Sequence, residues 1–166
     1  MDIFKKIVKK IIGLLMTLTI IIGVVFIVLF IFGIVPYAVV SGSMEPTIPT
    51  GSLCFINKHV AYEDIQKGDI IGFVAPTGVS VTHRVVEVTD EGLETKGDKN
   101  NTSDGISTNK DNYLGKNVFT IPKLGYVVRI LQTTRGRIIV VTLVVVILIS
   151  CFFVDDKKEK KVKEEK

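Results

Sequence analysis

The feature that most constrains this chain is the run of 25 residues from Ile11 to Val35, none of which carries a charge. As a helix it would extend roughly 37 Å at ~1.5 Å per residue, enough to cross ~30 Å of hydrocarbon with some tilt. A cleaved export signal has an apolar stretch of only ~7–15 residues, followed by a small-residue cleavage site. Here the stretch is longer, and Val35-Pro36-Tyr37-Ala38 is a poor small-x-small site. A retained membrane anchor is therefore expected. Lys5, Lys6, Lys9 and Lys10 precede it and predict a cytoplasmic N-terminus, because cytoplasmic flanks carry the excess of Lys and Arg.

A second uncharged run, Ile138–Val154, has 17 residues, broken only weakly by Thr142 and Ser150. A helix apolar all round has no face for water, so a second span is expected, although Arg135 and Arg137 then lie on the unfavoured side. The expected layout is a cytoplasmic basic N-terminus (1–10), a transmembrane helix (11–35), an extracytoplasmic domain (36–137), a second transmembrane helix (138–154) and a cytoplasmic charged tail (155–166). The net charge of +4 reads as membrane-flanking charge. No Lys/Arg stripe with interleaved aromatics occurs in the middle, which speaks against nucleic acid as a partner. Of the two cysteines, Cys151 falls inside the second run. No disulfide framework or CxxC metal site is implied, and Cys54 reads as a small core residue.

Between the runs, short β-branched segments alternate with turn residues. Ser52–Asn57, Asp69–Ala75, Val79–Val88 and Asn117–Ile121 read as strands. Gly51, Lys67-Gly68, Pro76-Thr77-Gly78 and Asp90-Glu91-Gly92 read as turns. The expected fold class is mainly β: a small, partly closed domain between two transmembrane helices. Leu124–Leu131 fits an apolar strand and a membrane-facing approach to the second span equally well.

Three kinds of side chain in this domain could carry chemistry. Ser43 lies in Ser41-Gly42-Ser43-Met44-Glu45-Pro46-Thr47, where Gly42 permits close backbone approach and Pro46 stiffens the chain. It lies only eight positions after Val35, a reach of at most ~28 Å, so its hydroxyl stays near the membrane surface. A serine hydroxyl needs a base to become a nucleophile. Of two histidines, His59 sits in a polar turn, whereas alternation puts His83 on one strand face with Val81 and Val85. Imidazole can take the serine proton and return it to a leaving amine. Asp98 and Asp104 could each orient that ring, and spacing does not choose between them. No EF-hand pattern suggests a metal role for the pair.

Four blocks stand in a recognisable order: Ser41-Gly42-Ser43-Met44-Glu45-Pro46-Thr47, Lys67-Gly68-Asp69-Ile70-Ile71, Thr82-His83-Arg84-Val85, and Lys96-Gly97-Asp98-Lys99-Asn100-Asn101 with Asp104. Together they resemble the type I signal peptidases, in the endoplasmic-reticulum-type branch also found in archaea and some Gram-positive bacteria. The resemblance implies a β-rich catalytic domain on the outer membrane face, in the plasma membrane or the endoplasmic reticulum, acting on preproteins with N-terminal signal peptides. It implies Ser43 as nucleophile, His83 as general base and Asp104 as main acidic partner, with Asp98 in support. Ser41, two before the nucleophile, becomes a candidate oxyanion donor. It implies no cofactor and no metal; accessory subunits stay open. Lys99 departs from the asparagine often found after the first aspartate. Rival readings are a Ser–Lys dyad on the same fold using a lysine such as Lys58 or Lys96, a non-catalytic membrane-anchored β-domain that binds exported proteins, and a Cys54 thiol transpeptidase.

Overall fold

The computed structural model describes residues 2–142 and 144–146. They divide into two compact units, Ile22–Val128 and the described remainder. The first unit holds every strand, and all of the chemistry described below.

Helix α1 runs Asp2–Ile31. Within it, Lys10–Ile31 is long and apolar enough to cross a membrane, with mean hydropathy 3.1 and none of its most apolar window buried in protein. The helix stops four residues earlier than the uncharged run. Gly33 adopts φ +70, a left-handed value that glycine takes at no steric cost and that ends helices. Ile34 and Val35, expected inside the span, instead open the first strand.

Seven strands form one antiparallel sheet: β1 Ile34–Ala38, β2 Leu53–Asn57, β3 Ile70–Val74, β4 Ser80–Val88, β5 Leu93–Lys96, β6 Ile106–Thr108 and β7 Tyr113–Ile121, in the order β1-β2-β7-β3-β4-β5-β6. Among the described residues no pairing joins β6 back to β1, so the sheet is open at both edges. The four expected strands are present within a residue or two at most ends, except that β7 begins at Tyr113 and not at Asn117. β1, β5 and β6 were not expected. The β3–β4 hairpin closes as the Thr77-Gly78 signal implies. Gly78 donates to the Ala75 carbonyl and Ala75 to the Val79 carbonyl. Gly78 takes φ +79, the left-handed position of a three-residue hairpin loop.

Two apolar clusters fill the domain. One gathers Ile65, Ile71, Phe73, Val85 and Leu93. The other gathers Met44, Ile48, Cys54 and Ile56. Met44 is only 2% exposed, and full burial of such a side chain stabilises by about 1.5–3 kcal/mol. The neighbour of Ser43 is thus a core anchor, and the loop that bears the hydroxyl is fixed from below. After β7 the chain forms α2, Leu124–Gln132, which settles the ambiguous Leu124–Leu131 segment as helix. Its start is pressed onto the entry to β2: a Cβ on Gly51 would lie 2.0 Å from the Tyr126 ring, and one on Gly125 2.2 Å from the Ser52 carbonyl. Residues 134–142 and 144–146 are helical too. The rest of the expected second span, Ile138–Val154, and the whole charged tail lie outside the described residues.

Candidate active site

Three separate pieces of chain converge on one point. Ser43 sits on the loop after β1. His83 sits at the centre of β4, opposite Ile71 in the register with β3. Asp104 sits on the loop between β5 and β6. Alternation along β4 turns His83 inward with Val81 and Val85, as the sequence pattern implies. His83 is buried, 7% exposed, and its ring meets the Phe73 ring edge-on at 6.3 Å.

The contacts run in line. Ser43 Oγ lies 3.0 Å from His83 Nε2. His83 Nδ1 lies 2.6 Å from Asp104 Oδ2. Asp104 is an acceptor when ionised, so Nδ1 carries the hydrogen and Nε2 is left free to accept from the serine hydroxyl. Ser41 Oγ is 3.3 Å from Ser43 Oγ, on the same exposed lip.

The two aspartates take different partners. Asp98 is held by the Arg84 guanidinium in a two-pronged pair, Nε to Oδ1 at 2.8 Å and Nη2 to Oδ2 at 2.7 Å. That pairing lowers its carboxyl below the ordinary range, with a smaller contribution from Thr47. Arg84 also donates from Nη1 to the Gly68 carbonyl at 2.8 Å. One arginine, next to the histidine, therefore ties the Lys67-Gly68-Asp69 turn to the Gly97-Asp98 loop.

That loop in turn holds Ser43. The Lys99 amide donates to the Ser43 carbonyl at 2.8 Å. Gly97 lies so close that a Cβ there would be 2.7 Å from the same oxygen. The Lys99 ammonium reaches back to Glu45 Oε2 at 2.9 Å. Glu45 also accepts from Thr50 Oγ1 at 2.9 Å, and these contacts, Lys99 first, hold its carboxyl at about 2. The unusual residue at 99 thus adds an ion pair on the surface, while the amide that grips Ser43 comes from the backbone and does not depend on the side chain.

A cleft of about 410 Å³ opens beside the hydroxyl. Tyr37, Val39, Ile56, Val79 and Val81 are among its walls, with Ser41, Ser43 and His83 at its side. The end of β1 with the residues after it and the start of β4 supply most of its lining, and Ile56 of β2, Gly72 of β3 and Leu114 of β7 complete it.

Other candidates are placed elsewhere. His59 is exposed and covers Gly33, where a Cβ would meet its ring at 2.6 Å. Lys58 is exposed and Lys96 half-buried on β5 opposite Arg84; the Ser43 hydroxyl bonds to Ser41 and His83 and to neither lysine. Cys54 is fully buried, 3.5 Å from Thr120 Oγ1, and burial pushes its thiol up. No cluster of three His, Cys, Asp or Glu side chains among the described residues is arranged to hold a metal. Sequence reading missed two hydroxyls behind Asp104, those of Thr95 and Ser107; a threonine in the short stretch Leu93-Glu94-Thr95-Lys96 gives no local signal of such a role.

A hydroxyl, an imidazole and a carboxylate in that order make up the constellation of serine-type acyl transfer. The chain belongs to the signal peptidase family: the family model described as "Signal peptidase, peptidase S26" matches residues 11–122. It is 38% identical over 86 residues to "Signal peptidase I W" of Bacillus subtilis, covering 49% of this chain and 45% of that protein. It is 34% identical over 105 residues to "Signal peptidase complex catalytic subunit SEC11" of Colletotrichum graminicola, covering 56% and 61%. It is 33% identical over 111 residues to the protein of the same name in Komagataella phaffii, covering 56% and 64%. The chain thus spans less than two thirds of the length of each of these relatives. The likeness is to the endoplasmic-reticulum-type branch.

Proposed function

We propose that this chain is a membrane-anchored serine endopeptidase that removes signal peptides from exported preproteins. The observation that carries the reading is the linear contact of Ser43 Oγ, His83 and Asp104, at 3.0 Å and 2.6 Å.

The reaction follows from these groups. Ser43 Oγ attacks the scissile carbonyl carbon as its proton passes to His83 Nε2. Asp104 holds the tautomer and stabilises the imidazolium that forms. The oxyanion is met by the Ser43 amide and the Ser41 hydroxyl; one such donor contributes about 3–4 kcal/mol in the transition state. The C–N bond breaks, and the imidazolium returns its proton to the amine of the mature protein. The signal peptide remains as an ester on Ser43. A water molecule gives a proton to His83 and attacks that ester; the acyl C–O bond to Ser43 breaks, the imidazolium returns its proton to Ser43 Oγ, and the signal peptide leaves as an acid that ionises to its carboxylate. Asp98 acts through Arg84, by fixing the loop that grips Ser43.

The N-terminal helix serves as anchor, with Lys5, Lys6, Lys9 and Lys10 in the cytoplasm. Ile138–Val154 serves as a second span that returns the charged tail, so both termini are cytoplasmic. The β-domain then lies on the outer or lumenal face of the plasma membrane or endoplasmic reticulum. An extended preprotein pairs along the cleft between β1 and β4, in the manner of strand addition, while its apolar segment stays in lipid.

Detergent-solubilised wild-type, Ser43→Ala and His83→Ala proteins are incubated with a labelled preprotein, and any new N-terminus is mapped. Cleavage should vanish with Ser43→Ala and fall at least ~10²-fold with His83→Ala, while Lys58→Ala and Lys96→Ala stay near wild type. Near-normal turnover by His83→Ala, with loss in either lysine variant, would replace the histidine by a lysine base. Wild-type protein and Ser43→Ala serving export equally well would leave only a binding role.

A further inference from the structure

Behind Asp104 lies a row of three hydroxyls, those of buried Thr95 and Thr108 and half-buried Ser107. Thr95 Oγ1 donates to Asp104 Oδ2 at 2.7 Å. The same Thr95 oxygen is 2.6 Å from Ser107 Oγ, and Ser107 Oγ is 3.4 Å from Thr108 Oγ1. Thr95 is 0% exposed and Thr108 1%.

The direction of the row follows from counting protons. An ionised carboxylate only accepts, and a threonine has one hydroxyl hydrogen. Thr95 spends its hydrogen on Asp104, so Ser107 must donate to Thr95. Ser107 has then spent its own, so any bond with Thr108 is donated by Thr108. All three hydroxyls point their hydrogens towards Asp104.

Asp104 Oδ2 therefore receives two hydrogens, one from Thr95 and one from His83 Nδ1. A carboxylate turns easily about its last torsion, which is broad and two-fold. The Asp104 side chain is 25% exposed, so water competes for it. The backbone adds a second hold: Asp104 N donates to Thr95 O at 2.8 Å. Valine would fill the same space on β5 as threonine, and a buried hydroxyl costs free energy unless it is bonded.

We infer that Thr95 is a positioning residue, whose hydroxyl, aligned by Ser107, locks Asp104 in the orientation that His83 needs. The inference rests on the proposed serine mechanism and deepens it. Thr95 never touches substrate; it acts through Asp104.

The test measures kcat and KM of the full chain in detergent with a labelled preprotein. Thr95→Val keeps the shape and removes the donor. Bonds to charged groups are worth enough that kcat should fall roughly tenfold or more, with KM within about threefold. Thr95→Ser should restore kcat to near wild type. In an Asp104→Ala background, Thr95→Val should change kcat by no more than about twofold, because residues acting through one another are not additive. An unchanged kcat in Thr95→Val, or an equal loss in both backgrounds, overturns the inference. Should Thr95→Val fail to fold, Ser107→Ala carries the same test: a loss of about threefold that disappears with Asp104→Ala supports the row, and an equal or absent loss overturns it. Ser43→Ala separates the two levels. If it cleaves like wild type, the serine mechanism itself fails. If it is inactive while Thr95→Val matches wild type, only the role of Thr95 fails.

Discussion

Gly97→Ala tests how tightly Ser43, the proposed nucleophile, is held, using a residue that takes no part in the proposed chemistry. A Cβ at this position would lie 2.7 Å from the Ser43 carbonyl oxygen, whereas ordinary contact begins at 3.4 Å. The two must separate by about 0.7 Å. The other close neighbour, the Asn100 amide at 2.8 Å, ends a side chain and can turn aside. The Ser43 carbonyl has no such freedom. It accepts the Lys99 amide, and the following residue, Met44, is buried in the core. The displacement falls on the loop between those fixed points, and it lengthens the 3.0 Å contact from Ser43 Oγ to His83 Nε2. Misplacing a reacting group by about 1 Å can cost on the order of 10²-fold, so a kcat loss of roughly 10- to 100-fold is expected. The assay is preprotein cleavage under saturating substrate, beside a thermal melt of the same sample. Gly23→Ala, where nothing lies within 4 Å, controls for the added methyl and should leave kcat alone. A folded Gly97→Ala protein with wild-type kcat would refute the idea that this loop is held rigid for catalysis.

Removing Arg84 should cost stability in a pH-dependent way. The Asp98 carboxyl is lowered by Arg84 from the usual 3.8, so the unfolded chain binds the proton more readily. The stabilisation is fully present above 3.8 and drains away as pH falls through the lower folded value. Arg84→Leu should therefore be less stable than wild type by about 1–3 kcal/mol at neutral pH, with the gap narrowing below pH 3.8 in denaturant titrations; a gap constant with pH would contradict the pairing. Cys54→Ala should retain cleavage within about threefold, because a buried thiol pushed up by desolvation is inert; abolition in a folded protein would reopen a thiol mechanism.

That Ser43 and His83 would meet was legible because each sits in a short block whose neighbours have their own physical jobs. Gly42 and Met44 around Ser43, and Arg84 beside His83, are such neighbours. The choice between Asp98 and Asp104 was not legible from spacing. It depends on the β4–β5 register, which sets Arg84 against Lys96 and shifts after Val85, and local sequence carries no trace of that bulge. Thr95 was hidden for the same reason. β5 and β6 are four and three residues long, too short to show alternation. β1 was masked by hydrophobicity: Ile34 and Val35 continue the uncharged run without a break in composition. Gly33 was the one local signal that the helix ended there. α2 was ambiguous because Leu124, Val127, Val128 and Leu131 do follow helical spacing, yet the segment is short and apolar on most sides.

The most direct measurement is to quench a reaction of the protein with a labelled preprotein in acid and to search its peptides by mass spectrometry for an ester. A signal-peptide acyl group should be found on the peptide containing Ser43, and should be absent from Ser43→Ala. Production of the mature N-terminus by Ser43→Ala, or an acyl group carried by another residue, would contradict the assignment of Ser43 as the nucleophile.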